Sequence, residues 1–221
     1  MHLRTLTVTV VLAFSTIASA QIQAAVDTPY QVRYVSNLNL GDSAIDIVND
    51  GAIGASHLAG TTAEIPGTIC ANVYAFDPQE EIVSCCSCPV TPNGLVSLSV
   101  QSDILSNTLT PVVPTSLVIK IVGSVPLPTP AGPTCVASSG LSFPLLVPGL
   151  LAWATTLHAV SGGTARTETR FSPAFLSFGE FDKLNYTCSF IQGTNGQNGQ
   201  GSGAGICKSC RIGGLGAAAA Q

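Results

Sequence analysis

Apolar and polar residues alternate with a period of two along most of this chain, and the stretches that do so are short. Gln31 to Ser36 (QVRYVS), Ala44 to Val48 (AIDIV) and Leu95 to Val100 (LVSLSV) each place every second residue on one face. That is the signature of a half-buried strand. Ile69 to Phe76 and Leu117 to Val122 are nearly continuous runs of β-formers, as buried strands are. Thr164 to Phe171, Ala174 to Phe178 and Leu184 to Ile191 read as further strands, the last alternating around Cys188. Turn signals separate them, among them Asn49-Asp50-Gly51 and Asn93-Gly94. About eight strand-like segments without a long amphipathic helix predict an all-β fold. The expected architecture is a disulfide-stabilised β-sandwich of the Ig-like or Greek-key type.

The segment from Thr68 to Val100 is the centre of the pattern. Two apolar runs there flank an acidic, cysteine-dense connection with Pro78, Pro89 and Pro92. Further on, PLPTPAGP (Pro126 to Pro133) is stiff and extended, which suits a crossover between sheets at residues 123–134. Leu141 to Ala154 is apolar but interrupted by Pro144, Pro148 and Gly149. It is too short and too broken to span a membrane, so it is expected as a kinked buried segment leading into a strand from Leu151 to Val160. The alternative is an exposed apolar patch that serves for association.

The two ends differ from the middle. Residues 1–20 combine Arg4, an apolar run from Leu6 to Ile17 and Ala18-Ser19-Ala20, the pattern of a secretory signal cleaved before Gln21. Residues 21–192 then form the sandwich domain, and the mature chain does not span a membrane. Residues 193–221 begin with the Gly-rich tract GTNGQNGQGSGAG and carry a terminal C-x-x-C, so this region is expected to be flexible.

Eight cysteines in an exported chain imply a disulfide framework. They are Cys70, Cys85, Cys86, Cys88, Cys135, Cys188, Cys207 and Cys210. Two C-x-x-C knuckles, Cys85 to Cys88 and Cys207 to Cys210, also have the spacing that wraps a zinc ion or forms a redox pair. Export favours disulfides over both. Cys85 and Cys86, adjacent on an extended chain, point to opposite sides and need different partners. The expected pattern ties Cys70 to the 85–88 cluster and ties Cys207 or Cys210 to another member of it.

Charge changes the picture further. Asp, Glu, Lys and Arg make up only 9% of the chain, against about 25% in ordinary soluble domains. Net charge is −4, mean hydropathy is +0.43, and the few Lys and Arg are scattered, which argues against a nucleic-acid partner. Weak mutual repulsion favours close association between copies. No nucleotide-binding loop, nucleophile elbow or metalloprotease motif is present.

The remaining candidates for chemistry are few. Asp77, Glu80 and Glu81 form the one concentrated acidic group, a weak calcium candidate and, with His158, the residues a hydrolase would draw on. Asp42, Asp46 and Asp50 lack the dense spacing of a calcium loop. His57 is expected to be exposed, and His158 to be a partly buried structural histidine. Asn185-Tyr186-Thr187 is a glycosylation sequon, meaningful in a host that uses one. Trp153, Tyr74 and Tyr186 are the aromatics a glycan-binding site would need.

Finally, Cys70-Ala-Asn-Val-Tyr-Ala-Phe-Asp-Pro-Gln-Glu-Glu81, followed by Cys85-Cys-Ser-Cys-Pro-Val-Thr-Pro-Asn-Gly-Leu95, resembles a motif of functionally uncharacterised secreted proteins of acidobacteria. The resemblance implies a bacterial, exported origin and no mechanism. The expectation is therefore an extracellular structural protein without cofactor or catalysis. Its partners are copies of itself, in a fibre, a pilus-like filament or a surface layer. A secreted adhesion or glycan-binding module is the alternative, and an extracellular hydrolase the third. In the most specific version, the segment from Gln21 to Ser36 completes a neighbour's sheet.

Overall fold

A computed structural model of the chain describes residues 28–55, 66–130, 132–137, 141–195, 204–208 and 211–212. The proposed signal segment, His57, most of the Gly-rich tract and Cys210 lie outside them. Two antiparallel five-stranded sheets pack face to face, and one helix covers the outer side of the first sheet.

The first sheet contains β1 (Tyr30–Val35), β3 (Ile69–Phe76), β4 (Ile82–Val90), β6 (Leu117–Ser124) and β9 (Ser172–Pro173), in the order β4-β3-β6-β1-β9. The second contains β2 (Ala44–Asn49), β5 (Leu95–Ser99), β7 (Leu150–Val160), β8 (Gly163–Arg170) and β10 (Arg211–Ile212), in the order β10-β5-β2-β7-β8. The chain passes from one sheet to the other between β6 and β7, and the Pro-rich segment lies within that passage.

Alternation in sequence becomes the division between two cores. Ile69, Ala71, Val73 and Ala75 of β3 face the second sheet, where they meet Ile45 and Ile47 of β2 and Ala152 and Ala154 of β7. Tyr74 and Phe76, on the other side of β3, face the helix α1 (Phe178–Asn195) and its Phe181, Leu184, Cys188 and Ile191. Polar ties link the layers. The buried Gln31 side-chain amide donates to the Leu150 carbonyl across the two sheets. Asn49 donates to the carbonyls of Gly67 and Val90, both at 2.8 Å, and accepts from the Gly51 N–H at 2.9 Å.

Several expectations need correction. Leu184 to Ile191 is helix, not strand: its buried residues recur at spacings of three and four, and the α1 face they form packs on the first sheet. Ala174 to Phe178 is likewise not a strand, because pairing ends at Pro173 and the helix begins at Phe178. The cysteine-dense connection is itself the strand β4, which accommodates Pro89 because β4 lies at the edge of its sheet. Leu141 to Pro148 is only partly buried, with Phe143 and Pro144 exposed around a 3-10 turn. His158 is exposed, not partly buried.

Three disulfides fasten the layers together. Cys70–Cys135 joins β3 to the passage between the sheets, Cys85–Cys188 joins β4 to α1, and Cys86–Cys207 joins β4 to the tail. Cys88 is also disulfide-bonded. The expected bridge from Cys70 into the 85–88 cluster is absent. Cys70 stands on the outer face of β3, while Cys86 and Cys88 point to the inner face of β4.

Candidate functional site

A sheet exposes main-chain donors and acceptors only along its two outermost strands, so four edges of this sandwich could bind another chain. Three of them are short or covered. The strands β9 and β10 have two residues each. The longer β4 is occupied along its outer side. The Leu109 N–H donates to the Val83 carbonyl at 3.0 Å, and the Cys85 N–H to the Gly205 carbonyl at 2.8 Å. The tail segment that supplies Gly205 is held there by the Cys86–Cys207 bond. Gly205 has φ +84°, and a Cβ on it would come within 2.9 Å of Ile191 on α1, so glycine alone fits this seat.

The fourth edge is different. The eight residues of β8 are all exposed, and among the described residues no strand pairs with its outer side. It contains no Pro and no Lys, and its register with β7 runs without a bulge from Trp153↔Arg170 to Val160↔Gly163. Pro, Lys and bulges are among the devices that protect edge strands, and the only such device β8 carries is its charged side chains, Arg166, Glu168 and Arg170. A two-residue turn, Ser161-Gly162, with Gly162 at φ +86°, closes the β7–β8 hairpin.

The turn and the antiparallel alternation fix which way each backbone group points. Gly163, Ala165, Thr167 and Thr169 bond to β7, and the Phe171 N–H continues the series to the Ala152 carbonyl at 2.8 Å. Thr164, Arg166, Glu168 and Arg170 therefore turn their N–H and C=O groups to solvent. Their side chains share the outer face of the sheet with Trp153, Thr155 and Leu157. His158 lies on the other face of the hairpin, its Nε2 2.8 Å from Thr167 Oγ1.

The other candidate residues do not converge. One Asp77 carboxylate oxygen accepts the N–H groups of Gln79 and Glu81, both at 2.9 Å, which makes it the organiser of the β3–β4 turn. Glu80 occupies the left-handed region of that turn at φ +68°. Asp77 and Glu81 line an open groove of about 530 Å³ with Thr110 to Thr115, and His158 is not part of its lining. Asp42 accepts from Ser99 Oγ and the Gln101 N–H, Asp46 from Ser97 Oγ, and Asp50 from the Ala52 N–H. These carboxylates order strand ends and turns. Among the described residues, no group of three or more His, Cys, Asp and Glu is placed to hold a metal ion.

The aromatics divide between layers. Tyr74 is buried under α1, its hydroxyl donating to the Ala137 carbonyl at 2.9 Å, and burial raises its pKa well above the ordinary tyrosine value. Trp153 is half-buried on the far side of the second sheet, and Tyr186 is exposed on the helix. These three share no surface. A cluster that sequence reading missed lies at the start of α1. The Phe143 ring stands 5.2 Å from the Phe181 ring and 6.4 Å from that of Phe178, and Phe178 and the neighbouring Phe175 are exposed. Asn185 of the sequon lies on this helix, its amide donating to the Leu141 carbonyl at 3.2 Å.

The disulfides suit an oxidising compartment. Among the described residues, no helix is long and apolar enough to cross a membrane. No protein-family model, no curated protein and no solved structure matches this chain.

Proposed function

We propose that this protein is an exported structural subunit that assembles with copies of itself into a fibre, a pilus-like filament or a surface layer. The observation that carries this reading is the eight-residue edge β8, open among the described residues, in a sandwich whose other edges are short or covered. The low charge content lets copies approach at little electrostatic cost. The N-terminal pattern and the resemblance to secreted acidobacterial proteins support export.

A single symmetric edge contact closes a dimer, so an extended assembly needs a second surface. The exposed Phe143 and Phe178, whose rings stand 6.4 Å apart at the start of α1, supply an apolar patch for a second copy. The segment from Gln21 to Ser36 is not the donated strand in this reading. Residues Tyr30 to Val35 already pair with β6 along their whole length, inside the chain's own sheet.

Sedimentation velocity on the oxidised chain from Gln21 to Gln221, across the micromolar range, tests the reading. Species larger than the monomer that grow with concentration are expected. A single monomeric boundary at every concentration contradicts it.

A further inference from the structure

We infer that the partner of β8 is the β8 of a second copy, paired antiparallel about a twofold axis at Thr167. This rests on the self-association proposed above and adds the surface, the register and the residues. The sequence of β8 is GTARTETR, with Arg166, Glu168 and Arg170 all on the outer face. These residues also turn their backbone groups to the open edge, so they form the hydrogen-bonded pairs of a new ladder.

Charge selects among the registers. With the axis at Thr167, Arg166 of each copy meets the partner's Glu168, Thr164 meets the partner's Arg170, and the pairs from Thr164 to Arg170 all fall within β8. With the axis at Glu168, the two glutamates oppose one another and Arg166 opposes Arg170, which is repulsive. With the axis at Thr169, Thr167 would have to pair with Phe171. That residue is buried at 1% exposure and lies beyond the end of the strand. Parallel in-register pairing would stack like charges. The register centred on Thr167 alone combines opposite charges with pairing of all of β8 but Gly163, and it joins the two five-stranded sheets into one.

The inference makes a geometric demand. Thr167, on the side of its strand that bonds to β7, becomes a non-hydrogen-bonded pair with its own copy, at a Cα separation of about 4.5 Å. That spacing lies within the range a disulfide bridges. Three single variants of the oxidised chain, A165C, T167C and T169C, are compared under a mild oxidant for covalent dimer. T167C should cross-link by itself, while A165C and T169C should cross-link mainly when mixed with each other. In parallel, R166E should raise the dimer dissociation constant about tenfold, and adding E168R in the same chain should restore it.

Self-cross-linking strongest at T169C, or R166E left unrescued by E168R, overturns the register. Assembly of the wild type with no cross-linking at any of the three positions and no effect of R166E overturns the edge, while the structural-subunit reading stands. A monomeric wild type with no cross-linking overturns both.

Discussion

Single buried polar side chains do more to hold the two sheets together here than their number suggests. Asn49 at the end of β2 joins three backbone groups, two of them carbonyls on segments outside its own strand. Asn49→Ala removes all three hydrogen bonds, the one to the Val90 carbonyl in a buried setting, at a cost of about 2–3 kcal/mol. Urea unfolding of the oxidised protein should show that loss as a lower midpoint with an unchanged slope. Glu80 presents the opposite case. It holds a left-handed conformation that suits glycine, so Glu80→Gly should stabilise the protein by about 0.5–1 kcal/mol. A rise in Tm supports the reading of Asp77 to Glu81 as a turn, and a loss of stability on substitution contradicts it.

Tyr74 and Tyr30 carry a pH dependence of known sign. Burial raises both pKa values well above the ordinary 10.0, and for Tyr30 the Glu180 carboxylate adds to the effect. The unfolded chain therefore releases these protons at lower pH than the folded one. Their contribution is complete below pH 10 and is lost as pH rises past it. Alkaline titration should show tyrosinate absorbance from these two appearing together with unfolding, and Tyr74→Phe should remove part of that dependence.

At the scale of elements, the helix is the feature that alternation concealed. Leu184 to Ile191 satisfies a period of two nearly as well as it satisfies burial at Phe181, Leu184, Cys188 and Ile191. The decisive signal lies just upstream, in Ser177-Phe-Gly-Glu180, where the spacing is that of a capping box. Ser177 Oγ accepts the Glu180 N–H at 3.1 Å, and Glu180 forms an ion pair with Lys120 of β6 at 2.6 Å. Ser177→Ala should cost about 1 kcal/mol, seen as faster amide exchange in the first turn of α1.

Strands such as β3 and β6 were legible because β-branched runs and turn residues coincide there. The Cys85–Cys188 bond was not, since it joins a strand to a helix that alternation does not show. The edge was hidden as well. Nothing in GTARTETR announces whether a neighbour lies beyond it, because strand order is set by tertiary packing. Its polar composition is consistent with exposure, yet the pattern reads the same for any solvent-facing strand.

For the whole molecule, the cross-links and the open edge complement one another. The three disulfides between described residues close loops with sequence separations of 65, 103 and 121 residues. In the chain-entropy account each contributes about 4–5 kcal/mol, less where loops overlap. Two of them anchor β4, the edge that the tail covers, and none anchors the β7–β8 hairpin. One end of the sandwich is thus locked, and the other presents an ordered strand that, among the described residues, pairs only with β7.

Electron microscopy tests the central claim most directly, with the mature oxidised protein at micromolar concentration viewed beside material sheared from the producing cells. The account predicts regular filaments or sheets in both preparations, with a repeat set by subunits related through β8. Dispersed monomers in both would contradict it.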